Sequence, residues 1–185
     1  MEVKGTAIVA IPEFIVKKFG KKGLERWLAA INEKARKVYE GNILVGNWYP
    51  VTEIMHEPTQ KMCDLFYQGD VRGAREGGRY SAELALRGIY RIFVKFGSPE
   101  VLIRRASNAF GSYYQPSEIK MVSQEGKKAV MHITKFPEAS YLVENRIAGW
   151  IEGALEISGC RNVSVQITQS LAKGAPYTEI SASWD

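Results

Sequence analysis

Between Gly23 and Gly41, Leu24, Trp27, Leu28, Ile31, Ala35 and Val38 recur at steps of three and four residues, which predicts an amphipathic helix with one apolar stripe. Its other side carries Glu25, Arg26, Glu33, Lys34, Arg36 and Lys37. Upstream, Ile8, Ile11, Phe14, Ile15 and Phe19 make a similar stripe closed by Gly20, with Pro12 tolerable only in that helix's first turn or at a kink. Two short helices in tandem are expected. Trp48-Tyr49-Pro50 opens a third helical stretch in which Ile54, Met55, Met62, Leu65 and Phe66 point inward, and Pro58, which has no N–H to donate, predicts a break. From Asp70, a good N-cap type, a pattern through Ala74, Tyr80, Leu84, Ala85, Ile89, Ile92, Phe93 and Phe96 predicts a helix to Gly97. Ser98-Pro99-Glu100 supplies a cap, a first-turn proline and an early acid for another helix, ending near Gly111.

After Pro116 the period shortens to two. Ile119 and Met121, with Ser123 next in the alternation, face one way, and Gln124-Glu125-Gly126-Lys127 turns the chain. The return strand buries either Val130, His132 and Thr134 or their alternates Met131, Ile133 and Lys135. A helix follows from about Pro137 to Ser158, stopped by Gly159, with Leu142, Ile147, Ile151, Ala154 and Leu155 as its core residues. Val163, Val165 and Ile167 then share one strand face, Lys173-Gly174-Ala175-Pro176 turns, and Thr178, Ile180, Ala182 and Trp184 alternate back. The pattern predicts an α+β fold in one domain, residues 1–185. A helical lobe spans about 1–115, packed on a four-stranded antiparallel sheet of hairpin-helix-hairpin order at about 116–185, with one crossing helix.

The composition suits a globular chain: 185 residues, 45% apolar and 24% charged, with 25 basic and 20 acidic side chains leaving a formal charge of +5. Basic and acidic residues interleave, so the charge permits an acidic partner without demanding one. Cys63 and Cys160 stand far apart outside any Cys/His cluster, which disfavours a disulfide framework or a Cys-rich zinc site and fits a reducing cytoplasm. The sequence shows neither an apolar run long enough for a membrane span nor a secretory leader, and no nucleic-acid-binding motif.

The usual catalytic devices are missing from the motifs. His56 and His132 are the only histidines, in no metal-binding spacing, and there is no nucleophile elbow, P-loop or G-x-G-x-x-G. Gly77-Gly78 inside a helical pattern reads as close helix packing or a kink, and Gly149-x-x-x-Gly153 on the late helix as a surface that lets a sheet or second helix approach closely. Glu152 and Glu156 share a helix face, as solvated charges commonly do. Arg72, Arg75, Arg79, Arg87 and Arg91 fall near one stripe, with Arg104-Arg105 beyond. Such a set either grips a carboxylate or phosphate, or is a solvated face paired with Glu76, Glu83 and Glu100. Tyr113 and Tyr114 stand at the junction of the helical and sheet portions, where tyrosines close a cavity or simply pack.

The opening Val3-Lys4-Gly5-Thr6-Ala7-Ile8, with Phe14, Phe19-Gly20 and Leu24-Glu25-Arg26-Trp27, resembles the start of haem–nitric-oxide-binding domains. The hairpin-helix-hairpin half is similar to the same superfamily, which includes vinyl-4-reductase-type ligand domains and TRAPP trafficking subunits. Asn47-Trp48-Tyr49-Pro50, Gly78-Arg79-Tyr80-Ser81-Ala82-Glu83, Gly88-Ile89-Tyr90-Arg91, Gly97-Ser98-Pro99 and Tyr113-Tyr114 together resemble a related bacterial group of about this length. Haem-binding members use a histidine ahead of the sheet and a Tyr-x-Ser-x-Arg motif; here Phe96 to Pro116 holds no histidine and the motif is absent. Where vinyl-4-reductase-type domains place zinc-binding cysteines, this chain has Ser170 and Thr178, which are not soft ligands.

The resemblance implies a non-catalytic sensory or protein-interaction module, with no cofactor, metal or membrane span. It would bind a small hydrophobic or anionic ligand, or a partner, in the helix/sheet cleft near Arg79, Arg87, Arg91, Tyr113 and Tyr114. A ligand-free homodimeric adaptor and an enzyme acting on an anionic substrate are the alternatives. Atypical haem binding through His56 or His132 stays open.

Overall fold

The computed structural model describes residues 1–86, 101, 104 and 110–185. The continuation of the fourth helical pattern to Gly97, most of the helix expected after Ser98, and Arg87 and Arg91 lie outside them. Strand β1 (Glu2–Lys4) leads into α1 (Gly5–Ile8) and α2 (Ala10–Ala30), with Pro12 in the first turn of α2. Gly20 kinks α2 through a left-handed φ of 71°, so the two tandem helices merge into one bent element. The expected single helix from Gly23 to Gly41 is in fact cut at Ile31-Asn32. Asn32 is extended and its side chain accepts from the Ala35 N–H, capping a separate α3 (Glu33–Glu40).

Trp48-Tyr49-Pro50, expected to open a helix, forms strand β2 (Trp48–Pro50). It pairs antiparallel with β1, whose other edge pairs with β3 (Tyr114–Gln115), giving a small sheet of order β2-β1-β3. Strands of two or three residues are too short to show an alternation of their own.

The break at Pro58 takes a specific form. A π-helical turn (Thr52–His56) precedes α4 (Glu57–Tyr67). In an α-helix residue 58 would donate to the Ile54 carbonyl, and in a π-helix to that of Glu53; proline can do neither. Tyr39 Oη donates to Ile54 O at 2.5 Å and Asn32 Nδ2 to Glu53 O at 2.8 Å. Trp27 Nε1 donates to the carbonyl of Pro58 itself at 2.8 Å, so the defect becomes the point where α2, α3 and α4 are tied together.

Helix α5 (Arg72–Ala85) begins two residues after Asp70, whose carboxylate accepts from the Arg72 N–H. After a 3-10 turn at Phe110–Ser112 come β4 (Glu118–Glu125), β5 (Lys128–Lys135), α6 (Tyr141–Ile157), β6 (Ser164–Gln169) and β7 (Thr178–Ser183). The four strands make an antiparallel sheet of order β4-β5-β7-β6. The open choice on β5 falls to Met131 and Ile133, which with Ala129, Val165, Ile180 and Ala182 are buried. A bulge between Met121 and Ser123 places Ser123 opposite Val130, not on the Met121 face, and leaves Val122 exposed.

Helix α6 lies between this sheet and α5, and all five of its expected core residues are buried. The two glycine pairs meet here. A Cβ on Gly78 would stand 2.0 Å from Arg146 O, and one on Gly149 would stand 2.1 Å from Arg75 O. Backbone therefore touches backbone, which only glycine permits. Along the rim of that seam Arg75 pairs with Glu152 at 2.9 Å and Arg79 with Glu156 at 2.5 Å.

Candidate functional site

Because α6 is covered on both sides, every residue from Leu142 to Gly149 is buried, polar ones included. Glu144 and Arg146 are two positions apart, about 200° around a helix of 3.6 residues per turn, so these opposite charges point away from each other. Glu144 faces the β6–β7 turn. Its carboxylate accepts from Ser170 Oγ, Thr178 Oγ1 and the Ala172 N–H. The two positions where the resemblance expects zinc-binding cysteines thus converge on a buried carboxylate. Among the described residues, no group of three or more His, Cys, Asp or Glu could hold a metal ion.

Arg146 faces the helical lobe and is 4% exposed. Its Nη2 donates to Ala7 O at 2.9 Å, in α1, and to Ser81 Oγ at 2.6 Å, in α5. One guanidinium thereby joins α1, α5 and α6. The buried phenols of Tyr39 and Tyr114 lie within its field; burial raises both above the ordinary tyrosine range and the cation opposes that rise. No Asp or Glu among the described residues pairs with Arg146, in contrast to Arg75 and Arg79.

Of the residues expected at the cleft, Arg79 sits on the partly exposed α5/α6 rim, engaged by Glu156 and, at 3.8 Å, by Glu152. Tyr113 is half-buried, and its carbonyl accepts from the Lys4 N–H. Tyr114 is buried against Phe110 and Phe136, with ring centroids 5.2 and 5.4 Å away. Arg87 and Arg91 lie outside the described residues. The cation near Tyr114 is Arg146, which a search for a stripe of arginines passes over. Its signal in the sequence is a lone arginine among the apolar positions of α6.

His132 lies on the sheet face away from α6, with Nε2 2.8 Å from Glu179 Oε2 and its ring stacked on Tyr177 at 4.0 Å. Hydrogen bonds from Thr168 and His132 hold the Glu179 carboxyl below its usual range. His56 Nε2 and Thr59 Oγ1, three residues apart, are buried without a hydrogen-bond partner among the described residues. Burial pulls the His56 imidazole down to about 4.

No family model and no curated protein sequence matches the chain. Solved structures do. An H-NOX (haem–nitric-oxide-binding) protein from S. oneidensis, in its Fe(II)NO ligation state, matches with a TM-score of 0.74 at 12% identity over 98% of this chain and 99% of that one. The Fe(II) unliganded H-NOX protein of K. algicida gives 0.70 at 9% identity, covering 98% and 96%. The IWP-051-bound H-NOX from Shewanella woodyi gives 0.68 at 13% identity, covering 97% and 93%. The chain has the H-NOX fold from end to end.

A haem in this fold would need a free imidazole nitrogen and cationic or polar anchors for its propionates. His132 Nε2 is engaged by Glu179 on the outer sheet face, and the inner face presents Ala129, Met131 and Ile133. Arg146 is the cation at the helix/sheet junction, and α5 meets α6 without a gap at Gly78 and Gly149. His132 Nε2 is therefore not free to hold a haem iron, whereas the Nε2 of His56 has no partner among the described residues.

Proposed function

We propose that the chain is a non-catalytic sensory or protein-interaction module of the H-NOX fold whose signal is not read through haem iron. A small ligand held where α1, α5 and α6 converge alters the packing of the helical lobe by binding two arrangements unequally. The observation that supports this reading is the buried guanidinium of Arg146 at the helix/sheet junction, in a sequence with no histidine between His56 and His132. The cleft residues Arg79, Arg87, Arg91, Tyr113 and Tyr114 belong to the same proposal, Arg79 as part of the rim.

Titration with haem, followed by absorbance, is expected to leave the Soret band where free haem has it. A stoichiometric shifted band lost in His56→Gln would sink the haem-independent reading. Native mass spectrometry with light scattering separates the sensor from a homodimeric adaptor. A small molecule carried from the host supports the sensor, whereas a ligand-free dimer supports the adaptor.

A further inference from the structure

We infer that the bend of α2 builds a docking surface for an acidic segment of a partner protein, at a place separate from the cleft and independent of any ligand there. The run Lys17-Lys18-Phe19-Gly20-Lys21-Lys22-Gly23 holds two glycines. Gly20 bends the helix through its left-handed φ of 71°. Gly23 is buried, and a Cβ there would stand 2.4 Å from the Phe19 Cβ and 3.9 Å from the Phe66 ring. Glycine inside a helix is less favourable than alanine by about 1 kcal/mol, and at Gly23 it makes room for Phe19. Phe19 stacks on Phe66 of α4, with centroids 4.1 Å apart and planes at 12°, and meets Tyr67 edge-on at 5.8 Å. The three rings are half-buried and form an aromatic strip across α2 and α4.

A guanidinium closes each end of the strip. Arg26 lies 5.9 Å from the Phe66 centroid and Arg72 lies 5.9 Å from that of Tyr67. Neither has a carboxylate partner among the described residues, and nor do Lys21 and Lys22, both exposed at the bend. By contrast Lys17, Lys18, Arg75 and Arg79 on α2 and α5 are each paired with a glutamate. The acids beside the strip are committed elsewhere. Glu76 is shared by Lys18 Nζ and Tyr67 Oη, both at 2.9 Å, Asp64 accepts from Gln60 Nε2, and Asp70 caps α5 through the Arg72 N–H. An arginine resting on a ring keeps N–H groups free for a carboxylate and has already given up rotamer freedom, so it binds at a lower entropic cost. The complement is a carboxylate for each guanidinium and an apolar or aromatic side chain for the strip, the composition of an interface centre. Glu25, next to Arg26, and Asp64 and Asp70, each two residues from a member of the strip, set negative charge among the cations. A uniformly anionic bilayer or a nucleic-acid backbone would meet them as like charges, whereas a protein segment can pattern its charge to both signs.

Fluorescence anisotropy on the full chain with a labelled peptide, Asp-Glu-Phe-Leu-Glu-Asp, tests this. Saturable binding that weakens as salt is added is the expected result. Arg26→Glu and Arg72→Glu are each expected to weaken it about tenfold or more. Lys127→Glu makes the same change of net charge on the exposed β4–β5 turn and is expected to leave affinity within about twofold. Phe66→Leu keeps the strip apolar but removes the ring beneath Arg26, and is expected to weaken binding about threefold. Affinity retained in Arg26→Glu and Arg72→Glu, or lost equally in Lys127→Glu, overturns the inference. So does equal binding of a peptide with lysine at every acidic position, or no saturable binding at about 1 mM peptide. Vesicles of phosphatidylserine or an oligothymidylate binding more tightly than the peptide, with that binding lost in Arg26→Glu, would assign the surface to a lipid or nucleic acid and overturn it too. None of these results bears on the cleft, which native mass spectrometry tests separately.

Discussion

Gly78→Ala sets two known effects against each other. Alanine is favoured over glycine inside a helix by about 1 kcal/mol. Against that, the new Cβ would lie 2.0 Å from Arg146 O, 2.9 Å from Arg146 C and 3.0 Å from Trp150 N, all backbone atoms of α6. No rotamer relieves such a contact. Ordinary van der Waals contact begins at 3.4 Å, so α5 and α6 must part by about 1.4 Å along that line. Overpacking of this kind costs about 1–3 kcal/mol, and an unyielding backbone puts it at the upper end. The net expectation is a loss of about 2 kcal/mol, or roughly 4–8 °C in Tm for a chain of this size. Urea unfolding and thermal melts measure it. Gly46→Ala, with nothing within 4 Å, is the control and is expected to stay within about 0.5 kcal/mol. Gly149→Ala addresses the same gap from the other helix, so the double variant should lose less than the two singles together. A Gly78→Ala protein as stable as the parent, or strict additivity with Gly149→Ala, refutes the reasoning.

Other perturbations reach different parts of the fold. Tyr39→Phe removes the donor to Ile54 O at the Pro58 defect and is expected to cost about 1–2 kcal/mol in urea unfolding. Glu144→Ala leaves the Ser170, Thr178 and Ala172 donors without their acceptor. It is expected to cost about 3 kcal/mol or more and to raise amide exchange across residues 170–178. In the unfolded chain His56 takes a proton near 6.5, whereas in the folded chain it does so only at about 4. The stabilisation from keeping it neutral is whole above pH 6.5 and declines as the pH falls toward 4, by about 3 kcal/mol in all. His56→Gln should flatten that part of the pH profile relative to the parent, against the opposing attraction of Glu138; an unchanged profile would contradict the burial argument.

The sequence alone determined the elements with long, regular patterns, because burial on one face leaves its period in the residues. Leu142, Ile147, Ile151, Ala154 and Leu155 mark α6, alternation marks the two hairpins, and Gly20, read as a helix end, falls where α2 bends. It also marked Gly149-x-x-x-Gly153 as a close-packing surface, and Gly77-Gly78 as either that or a kink. What it left undecided depends on partners distant in the chain. Only the folded chain shows that those two glycine surfaces face each other, and that Arg75 and Arg79 pair across the seam with Glu152 and Glu156. Strands of two or three residues, such as β2 and β3, take their identity from β1 and not from any alternation. The candidate site was least legible of all. Glu144 and Arg146 carry no mark of burial in the sequence, and it is the sheet and α5, covering both flanks of α6, that bury them. A charge acquires its meaning from what surrounds it, and that is settled by tertiary packing.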